Sequence, residues 1–234
     1  MVLLDKTQAY EGQEKFLIAV DCIVFGFDSK DLKLLLFKRQ VKPLKGKWSL
    51  VGAFIKNNST LEEEAKQILL ESTGLTDVYL KELKTYSKID RDPGERVISV
   101  SYFSLIRIDE YEIESVEKYD AHWFTLDEIP ELILDHNQMV QDAISSLRQK
   151  AKYQPIGFNL LPEKFTIPQL QNLYECIYQK KIDNRNFRKK LLSFDVLIKT
   201  DDKDKTGSKK GAFLYKFNKE KFDLFISNGY NFEI

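Results

Sequence analysis

The acidic side chains of residues 52–75, GAFIKNNSTLEEEAKQILLESTGL, have types and spacing that could hold a divalent metal ion. Hard cations prefer several oxygen ligands, and carboxylates one helical turn apart can converge on one ion that activates water against a diphosphate. Glu62, Glu63 and Glu64, however, lie in the first turn of a predicted helix. The helix macrodipole favours acids there, so these three have a structural explanation that needs no metal.

The same stretch resembles the Nudix box, G-x5-E-x7-R-E-U-x-E-E-x-G-U, where U is a bulky aliphatic residue. Anchored on Gly74 and Leu75, its length matches without insertion. Five positions depart from the pattern. Ala53 stands in place of its glycine and Gln67 in place of its arginine. Glutamates of the pattern are replaced at three positions, Ser59, Ile68 and Ser72. Only Glu71 remains of the paired glutamates, and one carboxylate cannot form a cage around magnesium. The resemblance therefore implies a Nudix-like αβα sandwich with no metal, no cofactor and no catalytic residue.

The surrounding elements predict an α+β domain that would position this stretch. Thr60 with Glu63 forms a capping box, and Gly74 suits a left-handed helix C-cap. Apolar, β-branched runs predict strands over Phe16–Phe27, from Leu32 in a hairpin, over Leu75–Tyr86 and over Arg96–Ile108. A short strand is predicted in DAHWFTLDEIPEL, and a long amphipathic helix from Asp135.

A second domain is predicted after residue 150, which divides the chain into 1–150 and 151–234. Thr166, Pro168 and Gln169 are typical of a helix start, and Asp183 is the N-cap candidate of a second short helix. VLIKT and AFLYKF then form a hairpin with a lysine-rich tip. Two short helices followed by such a hairpin indicate a helix-turn-helix with a wing.

Charge is divided unevenly between these two parts. The formal net charge is zero, but residues 1–150 hold 20 Lys+Arg against 26 Asp+Glu and residues 151–234 hold 16 against 10. This split indicates an anionic partner for the second part, or else a chance distribution. Polar and basic residues concentrate on the second short helix and the hairpin tip: Asn184, Arg185, Asn186, Arg188, Lys189, Lys190, Lys209 and Lys210. We predict base contacts for Arg185 and Asn186 and phosphate contacts for the other cations.

The ordered stretches FTIPQLQNLYE and DNRNFRK resemble the winged helix-turn-helix of Nudix-related transcriptional regulators, the NrtR/AraR-like group. With the Nudix-like part, the resemblance covers almost the whole chain. It implies a repressor that couples a ligand-binding domain to double-stranded operator DNA as a homodimer. Within that group the sequence resembles the arabinose-responsive branch most, which implies a sugar effector.

Candidate effector-binding residues are polar or aromatic side chains on or beside the apolar strands: Asp21, Arg39, Lys45, Trp48, Glu95, Ser99, Ser101 and Tyr102. A cleft needs a few convergent polar groups in an apolar surround, and Trp48 could stack on a sugar ring. Each of these residues could equally be structural. Two alternatives stay open, namely a Nudix hydrolase of ADP-ribose-like nucleotides and a regulator that senses such a nucleotide.

Cys22 and Cys176 both fall in predicted core segments, which disfavours a disulfide framework or a zinc site. The N-terminus shows no basic stretch followed by a long apolar one, and no later run has membrane-spanning length. We therefore expect a soluble, cytoplasmic protein.

Overall fold

The fold is taken from a computed structural model that describes residues 12–76, 78–108, 110–206 and 210–229. Its first part contains a mixed sheet with strand order β3-β2-β1-β6-β5, in which β4 also pairs with β1 and β7 with β2. The strands are β1 (Leu17–Phe27), β2 (Leu32–Lys38), β3 (Trp48–Ser49), β4 (Val51–Phe54), β5 (Lys81–Tyr86), β6 (Val97–Arg107) and β7 (Ala121–Thr125). Strand β1 runs antiparallel to β2, as predicted, and parallel to β6.

Three helices cover the two faces of this sheet: α1 (Leu61–Thr73), α2 (Glu110–Glu117) and α3 (His136–Tyr153). Alternate residues of β1 separate the layers, since Cys22 packs on the side of α1 and Ile23 on the side of α3. The αβα sandwich and the α+β class are therefore confirmed. The capping box of Thr60 with Glu63 and the left-handed conformation of Gly74 are also as predicted.

One predicted strand in this part begins too early, and one helix is not predicted. Residues 75–76 and 78–80 lie outside the strands, and β5 begins only at Lys81. Leu75 and Leu80 are nevertheless buried beside α1, so their apolar character reflects core packing and not sheet pairing. Helix α2 has no counterpart among the sequence predictions.

The second part contains the predicted helix-turn-helix and wing. Its elements are a 3₁₀ turn (Phe158–Leu160), β8 (Phe165–Thr166), α4 (Ile167–Tyr178), α5 (Asn184–Ser193), β9 (Leu197–Asp204), β10 (Ala212–Phe217) and α6 (Lys219–Ser227). The caps at Thr166 and Asp183 are present as predicted. Strands β8, β10 and β9 form a small sheet in that order, so the predicted hairpin gains a third strand, and α6 is an additional helix.

Helix α3 joins the two parts through one continuous hydrophobic core. Its residues Met139, Ala143 and Leu147 belong to the same buried cluster as Leu170 and Tyr174 of α4. Among the described residues no helix is both long and apolar enough to cross a membrane.

Polar contacts fix the same junction. Arg148 Nε of α3 donates to Ile177 O of α4 at 3.1 Å. From α4, Asn172 Nδ2 donates to Lys30 O in the β1–β2 turn at 2.9 Å. The division at residue 150 stays a prediction, and α3 runs through that position.

We predict that Leu147→Ala destabilises both parts together. Leu147 is 1% exposed inside the shared cluster, so truncation should cost about 2–5 kcal/mol of unfolding free energy, with both parts still unfolding in one transition. Urea denaturation followed by circular dichroism measures this. Leu192→Ala, at a position 40% exposed on α5, is the control and should cost less than about 1 kcal/mol. Two separate transitions in the parent protein would contradict the shared core.

Candidate functional site

Asp21 is a buried carboxylate at the centre of the sheet, on β1. Its Oδ2 accepts a hydrogen bond of 2.5 Å from Ser99 Oγ on β6, the neighbouring parallel strand. On the other side Gly52 of β4 is its register partner, and a Cβ at Gly52 would collide with the Asp21 carboxylate. Glycine is thus required at position 52 because the acid occupies the space of its side chain.

His136, the first residue of α3, faces the same carboxylate. Leu50 N donates to its Nδ1 at 3.1 Å, so the neutral ring carries its proton on Nε2, which lies 3.6 Å from Asp21 Oδ1. Burial lowers the pKa of His136 below its ordinary value, although Asp21 and Asp135 act in the opposite direction. A neutral imidazole with a fixed tautomer therefore presents an N–H donor beside an acid.

Arg91 completes this buried polar group. Its guanidinium makes two hydrogen bonds to Asp135, Nε to Oδ2 at 2.9 Å and an Nη2 atom to Oδ1 at 2.7 Å. The same Nη2 lies 3.9 Å from Asp21 Oδ2, and the Arg91 side chain is only 2% exposed. Separating Arg91 from the half-buried Asp135 would leave the buried guanidinium charge unpaired, which is unfavourable.

A cavity of about 270 Å³ opens onto these groups. It is lined by Ala19, Asp21, Arg39, Val41, Ser49, Leu50, Gly52, Ala53, Phe54, Arg91, Asp92, Val97, Leu134 and His136. A second cavity of about 300 Å³ shares Arg39, Val41 and Gly52 with it and extends to Glu71, Ser72 and Tyr119 beside α1. We call the two cavities together the cleft. Arg39, whose Nε donates to Pro43 O at 2.7 Å, lies where they meet.

Three of the eight predicted effector-binding residues come together in this region. Asp21 and Arg39 line the cleft, and Ser99 supports Asp21 from beneath. Lys45 and Glu95 lie exposed in loops outside the lining of either cavity. For all eight residues a role in ligand binding remains a prediction.

The other three predicted residues have structural partners elsewhere. The Trp48 ring packs edge-on against Phe124, with the ring centroids 4.8 Å apart, and lines neither cavity of the cleft. Ser101 Oγ donates to Lys84 O at 2.9 Å, and Tyr102 is buried in the cluster on the α1 side of the sheet. Ser99 and Ser101 do share one face of β6, opposite Tyr102, as predicted.

The sequence predictions did not include Arg91, Ser49 or His136. His136 is one of only two histidines and directly follows the predicted helix start at Asp135. Arg91 belongs to the DRDPGE loop, which also contains Glu95, a predicted effector-binding residue. Nothing local in the sequence shows that this loop returns to the start of α3.

The carboxylates of the degenerate box all have protein partners. Glu62 pairs with Lys66 at 2.7 Å, and the buried Glu64 pairs with Lys56 at 3.1 Å. Glu63 caps the helix through Thr60, while Glu71 Oε1 accepts from Gln67 Nε2 at 2.6 Å. Within the described ranges, no three His, Cys, Asp or Glu residues are grouped so that they could hold a metal ion. These donors do not fit the metal that a Nudix box implies; absence of catalysis stays a prediction.

The predicted DNA-contacting residues of α5 form one exposed surface. Phe187 and Leu191 are buried, and the Phe187 ring lies 5.8 Å from that of Tyr174 in α4. The remaining side chains face solvent: Asn184, Arg185, Asn186, Arg188, Lys189 and Lys190. Lys210 is exposed just before β10, whereas Lys209 lies outside the described residues. Among described residues no carboxylate is within 4 Å of these α5 cations, which leaves them available to phosphates.

Comparison with known proteins assigns both parts to families. Residues 15–143 match the NUDIX domain, and residues 157–217 match the NrtR DNA-binding winged helix domain. The chain is 32% identical over 212 residues to the ADPR responsive transcriptional repressor NtrR of Acinetobacter baylyi, which covers 89% of this chain and 84% of that protein. The chain belongs to the NrtR family of Nudix and winged-helix regulators.

Solved structures of Shewanella oneidensis NrtR have the same architecture. Its complex with a 27mer DNA superposes with a TM-score of 0.72 at 29% identity and covers 92% of this chain and 97% of that chain. Its NUDIX domain complexed with ADP ribose superposes with a TM-score of 0.54 at 28% identity and covers 63% and 99%.

A further relative bears on catalysis. The ADP-ribose pyrophosphatase of Methanocaldococcus jannaschii is 35% identical over 125 residues, which cover 53% of this chain and 71% of that enzyme. Each of these three proteins is described with ADP-ribose: the Acinetobacter baylyi repressor as responsive to it, the Shewanella oneidensis NUDIX domain as complexed with it, and the Methanocaldococcus jannaschii enzyme as its pyrophosphatase. They lend no support to arabinose or to the arabinose-responsive branch, and they favour the nucleotide alternative.

We predict that His136 makes the stability of this NrtR-family protein depend on pH. Because its pKa is lowered on folding, the unfolded chain takes up the proton more readily. The stability supplied by the neutral ring should be complete above about pH 6.5 and decline as the pH falls below that value. The difference in unfolding free energy between the parent and His136→Gln should therefore shrink between pH 7.5 and 5.5. His122→Gln, at a more exposed ring, is the control. A difference independent of pH would contradict the neutral, buried imidazole.

Proposed function

We propose that the protein is an ADP-ribose-responsive transcriptional repressor that acts as a homodimer. In this proposal residues 1–150 bind the effector without hydrolysing it, and residues 151–234 bind operator DNA. The similarity to the Acinetobacter baylyi repressor, which extends over both parts, carries the proposal. The cleft and the α5 surface give it a physical basis.

The cleft offers groups suited to a nucleoside diphosphate sugar. Arg39 and Arg91 are cations for the phosphates, and guanidinium groups can bind phosphate oxygens with two hydrogen bonds. The Asp21 carboxylate can accept a hydrogen bond from a ribose hydroxyl, and the His136 Nε2–H can donate one. Phe54, which lines the cleft and is 48% exposed, provides an aromatic face for the adenine. A neutral pentose would supply no anion to the Arg39 guanidinium, whereas Arg91 is already paired with Asp135.

The pairing of the box carboxylates supports binding without hydrolysis. A metal would have to displace Gln67 from Glu71 and Lys56 from Glu64 before it could bind these two carboxylates. The competing function is an ADP-ribose hydrolase, which the similarity to the Methanocaldococcus jannaschii pyrophosphatase favours.

Effector and DNA can be coupled through α3. Its first residue, His136, lies in the cleft, and its buried face packs against α4 of the helix-turn-helix. A ligand shifts a conformational equilibrium only by its difference in affinity for the two states. ADP-ribose must therefore bind the DNA-competent and DNA-incompetent arrangements of the dimer with different affinities.

We predict that ADP-ribose raises the melting temperature of the full-length protein, because a ligand of the folded state stabilises it by mass action. Arg39→Ala should weaken its affinity about 10- to 100-fold through the loss of a charge-assisted contact. Titration calorimetry measures this, and Lys30→Ala, at an exposed position of the β1–β2 turn that lines neither cavity of the cleft, is the control. Stabilisation by L-arabinose but not by ADP-ribose would overturn the choice of effector. Turnover of ADP-ribose with magnesium that Glu71→Gln abolishes would establish the hydrolase instead.

On operator DNA we predict different effects for two cations. Arg185→Ala should weaken binding by about 1–3 kcal/mol and relax base preference, because it removes a base contact. Lys210→Ala should weaken all sequences alike and reduce the slope of log affinity against log salt by about one, since it removes a phosphate contact. Fluorescence anisotropy at several salt concentrations distinguishes them, with Lys45→Ala as control. Unchanged affinity in both variants would remove α5 and the wing from the interface.

A further inference from the structure

A cavity separate from the cleft lies where the two parts of the chain meet. Its volume is about 520 Å³, within the range of small-molecule sites. The Nudix domain contributes residues of β5, β6 and α3, and the segment after α3 contributes the rest. The lining residues are Tyr79, Lys81, Phe103, Ser104, Leu105, Ile106, Leu147, Lys150, Gln154, Ile156, Gly157, Asn159 and Leu160. None of them lines the cleft.

Two lysines flank the aromatic floor of this junction cavity. Lys150 Nζ lies 3.9 Å from the centroid of the Phe103 ring. Lys81 is the direct cross-strand partner of Phe103, so its side chain leaves the sheet on the same face. The lining contains no acidic residue, and neither ammonium group lies within 4 Å of a carboxylate among the residues that the structure describes. The cavity is therefore apolar at its floor and positively charged at its wall.

The proximity of these two ammonium groups is electrostatically unfavourable. Burial and the charge of Lys81 both lower the pKa of Lys150. The Phe103 ring offsets part of this cost by a cation–π contact. An anion between the two ammonium groups would offset more, because opposite charges attract strongly beside an apolar floor.

We propose that the junction cavity is a second effector site, for a small anion that carries an aromatic or apolar body. A phosphate or carboxylate of the ligand pairs with Lys81 and Lys150, and its body rests on the apolar floor formed by Phe103, Leu147 and Leu160. Asn159 and Gln154 supply further hydrogen-bonding groups at the rim. The volume and the apolar floor favour such an amphiphile over inorganic phosphate alone.

A ligand in this position contacts both units of the protein. Gly157, in the lining, has a positive φ of 99°, and a Cβ there would approach Leu173 Cδ2 of α4 to 2.6 Å. The segment after α3 is thus seated directly on the helix-turn-helix. Occupancy of the cavity would hold this segment against β6 and α3.

The test uses 1-naphthyl phosphate as the probe, titrated into the full-length protein by calorimetry. 1-Naphthol and inorganic phosphate are the controls for the body and the anion alone. Saturable binding of one probe per chain is expected, with both controls at least about tenfold weaker. Lys150→Met and Lys81→Met keep the apolar stem and remove the charge, and each should weaken the probe about tenfold. Lys152→Met, two residues further along α3 and lining a different cavity beside α5, should leave it unchanged.

Several outcomes would overturn the proposal. The first is that the probe shows no saturable binding, and the second is that Lys150→Met binds it as tightly as the parent protein does. The third is that Lys152→Met loses the binding, because this result would place the probe beside α5. Displacement by ADP-ribose or loss in Arg39→Ala would place the probe in the cleft. Because the two sites share no residue, the result of this test does not depend on whether the protein responds to ADP-ribose. Urea denaturation of each variant verifies that the fold is retained.

Discussion

The burial of α3 between the sheet and α4 is the interaction on which the rest of the structure depends. Its apolar stripe, from Met139 to Ala151, contributes to one hydrophobic cluster that contains residues of both parts. Burying apolar surface is the main source of folding free energy, and here the same side chains stabilise two units. The relative placement of the sensing and DNA-binding units is therefore fixed by core packing, and Arg148 and Asn172 add hydrogen bonds to it.

The position of α3 also determines the chemistry of the cleft. Since the helix begins with His136, its packing brings an imidazole against Asp21, and the preceding Asp135 holds Arg91. Buried charges are tolerated only when they are paired and hydrogen-bonded, so these groups constrain one another. The cleft is consequently preorganised, and a bound effector can influence the start of a helix whose body contacts α4.

The uneven distribution of charge along the chain is explained by which charged side chains are paired within the protein. In the box, Glu64 and Glu62 pair with Lys56 and Lys66. Glu71 accepts a hydrogen bond from Gln67, and Glu63 caps the helix. The cations of α5 point outward, away from the carboxylates of the described residues. The surplus of positive charge after residue 150 is thus presented at a surface, where it can act on a polyanion.

The sequence by itself determined the α+β class, the order of the two domains, and the caps at Thr60, Thr166 and Asp183, because periodicity and capping are local properties of the chain. It also placed the α5 residues on one helix. Only the tertiary structure decided which polar residues meet. Asp21 is joined by Ser99, Arg91 and His136, which are remote in sequence, and the parallel pairing of β1 with β6 leaves no local signal. Trp48 and Tyr102 are predicted as binding residues from their types alone, and composition does not specify which face a side chain occupies. The structure packs Trp48 against Phe124 and Tyr102 into the cluster on the α1 side, and their role in binding stays a prediction.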